Sequence, residues 1–178
     1  MKPAGLGAQV EFVFQDESRF GTITTLGRSW KPKGTNFEVC TKLGRESLYL
    51  FGAVTPITGE LFTQTYEKSN TESMNDFISK FAASRPERFI VMILDRAGWH
   101  IANKLKKPDN LGLVYLPPVS PQLNPIERLW KKIKADFFHN RRHDTIADVE
   151  DSIKRAIDSL APKEIASICA CRYLEACY

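Results

Sequence analysis

Six consecutive apolar residues, Phe89-Ile90-Val91-Met92-Ile93-Leu94, run straight into Asp95. A strand with one face in water alternates apolar and polar residues, whereas an unbroken apolar run fits the interior of a parallel sheet covered on both faces. The rest of the chain must therefore supply neighbouring strands and helices to lie above and below it.

The pattern on either side meets that demand. Val10, Phe12, Phe14 and Asp16 fall on one face of a strand at period two, so an acid closes an otherwise apolar face. Residues 47–54 and 60–66 are β-rich runs around Thr55-Pro56-Ile57-Thr58-Gly59, which predicts a hairpin. The turn-bounded polar stretch 27–34 reads as a loop or short edge strand. Met74, Phe77, Ile78 and Phe81 repeat at helical spacing behind Asn70 and Thr71, candidate N-caps of a helix over 71–83. A short helix is expected over 99–107 and a further strand over 111–116, stopped by Pro117-Pro118. Ile126, Leu129, Trp130, Ile133 and Phe137 form one helical stripe. Ile146, Val149, Ile153, Ile157 and Leu160 form another, opened by a Thr145/Asp148 capping box. Residues 163–178 are expected to hold a last short helix. The sum is an α/β domain with a mixed five-stranded sheet and helices on both faces, spanning 1–160, with 161–178 as its C-terminal helical tail.

Composition supports a globular domain. Of 178 residues, 43% are hydrophobic and 26% charged, unlike disordered chains. No apolar run approaches the roughly 20 residues of a membrane span, and Met1-Lys2-Pro3-Ala4-Gly5 does not resemble a secretory signal. A cytoplasmic protein is expected. Positive charge is concentrated: residues 101–142 carry a net +6 and residues 143–178 a net −3, within a total of +4. Such a patch suits a polyanion, or is simply the solvated face of a helix. Cys40, Cys169, Cys171 and Cys177 lack a C-x-x-C pair and a nearby histidine, so free thiols are a better reading than zinc ligands.

Asp16 and Asp95 each follow an apolar strand, and Glu127 opens a helix beginning at Asn124-Pro125. Strand ends beside a reversal of strand order form the usual crevice of an open α/β sheet. Convergent carboxylates repel one another unless a cation intervenes, and hard oxygen donors favour Mg²⁺ or Mn²⁺. Two such ions about 4 Å apart support in-line phosphoryl displacement. Each acid also has a structural explanation. Aspartates end strands as turn residues, and Glu127, at the third helical position after an Asn124 cap, suits a helix start.

The contexts of these acids carry a resemblance. Phe14-Gln15-Asp16-Glu17-Ser18-Arg19-Phe20, Leu94-Asp95-Arg96-Ala97-Gly98-Trp99-His100 and Leu116-Pro117-Pro118-Val119-Ser120-Pro121-Gln122-Leu123-Asn124-Pro125-Ile126-Glu127 resemble the three catalytic blocks of DDE transposases. The best match is the bacterial insertion-sequence branch of the mariner superfamily. That resemblance implies an RNase H-like fold in which Asp16, Asp95 and Glu127 bind two Mg²⁺, with Mn²⁺ as a substitute. It implies cleavage of double-stranded DNA at element ends and transfer of the 3′-hydroxyl to target DNA, near the bacterial nucleoid. The usual asparagine after the second aspartate is Arg96 here, and the stretch from Asp95 to Glu127 is slightly short. Relatives carry N-terminal helix-turn-helix domains for which this chain has no room. The expectation is a catalytic domain alone, dimeric or paired with a separate or frameshift-fused helix-turn-helix polypeptide.

Lys131 and Lys134 lie one and two turns beyond Glu127 and are candidate phosphate contacts; Lys104, Lys106, Lys107, Arg141 and Arg142 extend the basic surface. His100 is a candidate site residue or phosphate contact. Trp30 and Trp99 are candidates to stack on an unpaired base, with Trp99 preferred, while Trp130 belongs to the apolar stripe. Strand alternation turns Glu17 away from Asp16, toward a surface role. Two other functions compete: a catalytically idle DNA-binding or assembly remnant, and a serine hydrolase using Ser120, His100 and Asp95. The latter lacks a nucleophile elbow.

Overall fold

The computed structural model describes residues 9–28, 30, 32–35, 38–41, 46–100 and 104–171. Its strands are β1 (Gln9–Gly21), β2 (Ser47–Thr55), β3 (Glu60–Tyr66), β4 (Arg88–Leu94) and β5 (Leu111–Tyr115). Its helices are α1 (Thr71–Ala83), α2 (Ile126–Phe137), α3 (Ile146–Asp158) and α4 (Pro162–Cys169). The five strands form one sheet in the order β3-β2-β1-β4-β5. β1 runs antiparallel to β2 and parallel to β4, which is parallel to β5. Helix α1 makes the crossover that returns the chain from the hairpin to the far side of β1.

Two apolar layers sandwich the sheet. On one face Val13, Phe51, Ala53, Ile90, Met92 and Leu94 pack with Met74, Phe77, Ile78 and Phe81 of α1. On the other, Phe14, Phe20, Leu48, Leu50 and Val54 pack with α2, α3 and α4 through Leu129, Trp130, Val149, Ile153, Ile165 and Cys169. β4 is fully buried only toward α1. Its alternate residues Phe89, Val91 and Ile93 are half-buried, because α2–α4 lie over β1–β3 rather than over the β4–β5 edge.

Caps hold the helix starts. Asn70 accepts a hydrogen bond from the Ser73 amide, and Thr145 and Asp148 form the reciprocal capping box. Pro162 enters α4 so close to the β2–β3 turn that a side chain at Gly59 would overlap its carbonyl. Gly59 also has φ +72°, a conformation that glycine adopts without strain.

Three expectations are corrected. β1 does not end at Asp16 but continues to Gly21, because β2 pairs with it from Phe14 to Gly21 after β4 stops at Phe14. No helix appears in the described part of 99–107. Asn75 on α1 accepts from the Lys106 amide (2.7 Å) and donates to the Lys104 carbonyl (3.1 Å), while the Tyr115 hydroxyl takes the His100 carbonyl (2.8 Å). Those anchors occupy backbone groups that a helix would need. The last helix ends at Cys169, and residues 172–178 of the expected one, with Cys177, lie outside the described residues. Cys169 and Cys171 are buried and Cys40 is exposed. Among the described residues, no helix is long and apolar enough to cross a membrane.

Candidate active site

The site begins where β1 and β4 part. Their last paired residues are Phe14 and Ile93. Continuing that parallel register sets Asp95 level with Asp16, on the face that carries Phe14 and Ile93. From Gln15 onward β1 keeps β2 on one side and leaves its β4 side open, and the loops after β4 and β5 fill this opening.

Asn124 brings α2 to the same place. Its amide donates to the Gln15 carbonyl (2.9 Å), directly before Asp16, and its Oδ1 accepts from the Ile126 amide (3.4 Å). The helix starts one residue later than the sequence suggests, with Pro125 as its N-cap. Among the described residues no hydrogen bond from the helix start falls on the Glu127 carboxylate, so Glu127 does not act as a cap.

Asp16, Asp95 and Glu127 line one cleft of about 300 Å³, walled on its far side by Leu116–Pro121. Burial, then the charges of Glu17, Glu127 and Asp95, push the Asp16 carboxyl up to about 8. The Trp130 indole donates to Asp16 Oδ2 (2.9 Å). Trp130 is buried as the apolar stripe predicts, yet its nitrogen serves the acid. Lys131 is exposed. Lys134 is half-buried over the Phe20 ring (5.4 Å); burial holds its ammonium below the usual range against the opposing pull of Glu127 and Asp16. Arg142 pairs with Asp144 (2.7 Å) and Arg141 lies over Phe137 (5.6 Å).

Asp95 Oδ1 accepts from the Ala97 amide (2.9 Å) and faces His100 Nδ1 (2.8 Å). The other ring nitrogen faces Glu17 Oε1 (2.8 Å), and His100 is completely buried. Burial alone would lower the histidine pKa, but the Glu17 hydrogen bond and charge, followed by Asp95, raise it. This corrects two expectations. His100 has no surface to offer a phosphate. Glu17, with only 7% of its side chain exposed, is not a surface residue. Trp99 is half-buried and directs its indole N–H to Glu17 Oε1 (3.4 Å), while Trp30 is fully exposed. The hydrolase reading also fails, since Ser120 hydrogen-bonds the Pro118 carbonyl and both His100 nitrogens face carboxylates. No sequence signal joins Glu17 to His100, because the contact spans two elements far apart in the chain.

The donors suit a hard divalent cation: three carboxylates share a cleft, and the most buried of them is driven toward its protonated form where no cation balances its neighbours. Among the described residues no three His, Cys, Asp or Glu side chains already close on a single point. Any ion therefore has to draw these carboxylates inward.

With the sheet order and the acid cleft established, the class is plain: this is an RNase H-like fold. Solved structures share the fold. The mariner Mos1 paired-end complex with Mg superposes at TM-score 0.68 and 14% identity, covering 89% of this chain and 51% of that one. The Mos1 strand transfer complex does so at 0.67 and 12%, covering 89% and 50%. The family described as DDE superfamily endonuclease matches residues 11–150. The chain belongs to that family. An uncharacterized protein, y4pE/y4sA, of Sinorhizobium fredii is 40% identical over 94 residues, covering 52% of this chain and 70% of that protein. An uncharacterized 39 kDa protein of insertion element IS630 from Shigella sonnei is 24% identical over 157 residues. That match covers 84% of this chain but 45% of the insertion-element protein, and this chain likewise spans about half of the Mos1 chain.

Proposed function

We propose that this chain is the catalytic domain of an insertion-sequence transposase, a metal-dependent DNA phosphotransferase acting on double-stranded DNA. It cleaves strands at element ends and joins the freed 3′-hydroxyl to target DNA. The observation that carries this reading is the cleft shared by Asp16, Asp95 and Glu127, in which Asp16 is held near 8 by burial and like charges. These three residues would hold two Mg²⁺ ions, or Mn²⁺ in their place. When bound, the ions supply Lewis-acid activation of the attacking hydroxyl and stabilisation of the leaving oxygen.

The protein contributes placement. Asp16 sits on a strand paired to β2 on its far side, with one oxygen fixed by Trp130. Glu127 is fixed because Asn124 ties its helix to β1. Lys131 meets phosphates beside the cleft, a contact that carries no base information. Recognition of element ends falls to a helix-turn-helix segment, fused or separate, and the likeness to chains about twice as long supports that division.

The test is nicking of supercoiled plasmid in Mg²⁺ or Mn²⁺ against EDTA. Activity is expected with either ion, and its loss in Asp16→Ala, Asp95→Ala and Glu127→Ala, each still folded by circular dichroism. A folded Asp95→Ala variant that nicks like the parent overturns the assignment. A wild-type chain that binds DNA but takes up no Mn²⁺ in a calorimeter is instead the idle remnant.

A further inference from the structure

Past the last β1–β4 pair, one side chain bridges the two strands. His100 lies between Glu17 on β1 and Asp95 after β4, with 2.8 Å to each carboxylate. Its position is fixed from several sides. The Tyr115 hydroxyl holds its carbonyl (2.8 Å), and its amide closes a turn on the Ala97 carbonyl (2.9 Å). Glu17 Oε1 is fixed in turn by the Gln15 amide (3.0 Å) and the Trp99 indole (3.4 Å). Among the described residues both hydrogen bonds to the Asp95 carboxylate fall on Oδ1, so Oδ2 is the oxygen left for the cleft.

We infer that Glu17 and His100 are positioning residues, a buried carboxylate–imidazole strut that locks Asp95 so that one defined oxygen meets the cation. The strut holds the most exposed of the groups it joins: the Asp95 side chain is 57% exposed, against 0% for His100 and 7% for Glu17. An exposed aspartate at the end of a strand samples several rotamers, and each lost rotamer must be repaid when an ion binds. Partners behind a ligand that fix its orientation raise metal affinity, and removing them costs about 10–100-fold in affinity or activity. The inference rests on the proposed metal-binding function and adds to it two residues that never touch the ion or the DNA.

Calorimetric titration of the full chain with MnCl₂, without DNA, tests it alongside plasmid nicking and thermal melting. His100→Ala is expected to weaken Mn²⁺ binding by about 10–100-fold. Should that variant fail to fold, Glu17→Gln decides, since it keeps the shape and an oxygen acceptor; a loss of about tenfold is expected. A strut that merely supports the core would lower the melting temperature and leave the Mn²⁺ constant unmoved. Folded Glu17→Gln and His100→Ala chains that bind Mn²⁺ within about twofold of the parent overturn the inference alone. A parent chain that takes up no Mn²⁺ overturns the metal site itself, and the strut's role with it.

Discussion

The Trp130 indole nitrogen lies 2.9 Å from Asp16 Oδ2, and the benzene edge of the same ring rests over Gly52, the residue opposite Asp16 in the β1–β2 register. A buried aromatic thus connects core packing to the acid: its apolar side belongs to the α2–α4 layer, and its one donor reaches the cleft. The space at Gly52 makes this possible.

Gly52→Ala should therefore disable the site through packing. The added methyl would fall 2.6 Å from Trp130 Cη2 and 2.8 Å from Cζ2, so the indole must move. Overpacking of this kind costs about 1–3 kcal/mol, measurable by urea unfolding. A displacement of roughly 1 Å at a catalytic carboxylate lowers rate on the order of 100-fold. Trp130→Phe, which keeps most of the ring and removes the donor, should reduce nicking while unfolding near the parent. Unchanged nicking in both variants would show that Trp130 does not orient Asp16.

Asp16→Asn should stabilise the chain in EDTA while abolishing nicking. Burial and the charges of Glu17, Glu127 and Asp95 all disfavour a carboxylate at this position, whereas a neutral amide can still accept from Trp130. Sites built for function are commonly destabilised in this way. Melting in EDTA should show a higher midpoint for the variant, and saturating Mn²⁺ should raise the parent's midpoint while leaving the variant's almost unchanged. A variant that melts below the parent in EDTA contradicts this electrostatic account.

Acid sensitivity should come from the far end of the sheet. Glu11 is 4% exposed and accepts from Thr55 (2.6 Å) and Arg88 (3.1 Å), with Arg85 at 3.2 Å. Burial raises its pKa, but the Thr55 and Arg88 hydrogen bonds and the two arginine charges outweigh it, so the folded value lies below the usual 4.5. A carboxylate with a depressed folded pKa contributes stability that is fully present above its unfolded pKa and is lost as pH falls toward the folded one. Glu11→Gln should cost about 2–3 kcal/mol at neutral pH, less than a fully buried pair because Arg88 reaches solvent. The gap between variant and parent should close as pH drops below 4.5. A gap independent of pH would mean that Glu11 contributes shape and not charge.

The main acids are legible in the sequence because each stands in a local pattern: an apolar strand before Asp16 and before Asp95, and a proline-started helix before Glu127. The apolar stripe likewise identifies Trp130 as core. Glu17 is illegible for a physical reason. Alternation correctly turns it away from Asp16, but the opposite face is covered there by the Trp99–His100 turn and is not open to solvent. That cover depends on packing between distant segments. The polar run after Asp16 reads as the end of a strand, yet pairing to β2 carries it on to Gly21. In the described part of 99–107, helical spacing yields to anchors from Asn75 and Tyr115 that no local pattern contains.

Lys131 and Lys134 should separate when tested, although both follow Glu127 on one helix. Lys131 is exposed, so Lys131→Ala should weaken DNA binding evenly across sequences and reduce the salt slope by about one. Lys134 is half-buried with its ammonium over the Phe20 ring (5.4 Å), where it feels the charges of Glu127 and Asp16. There it balances part of the carboxylate charge that a divalent cation would meet. Lys134→Met keeps the packing stem and removes that charge, so it should tighten Mn²⁺ binding in the absence of DNA by a few fold and change the salt slope less than Lys131→Ala does. Paired calorimetry and salt-dependent DNA titrations read both quantities. Equal salt slopes for the two variants, with Mn²⁺ affinity unmoved by Lys134→Met, would place both lysines on the phosphate path and leave the acids without a built-in counter-charge.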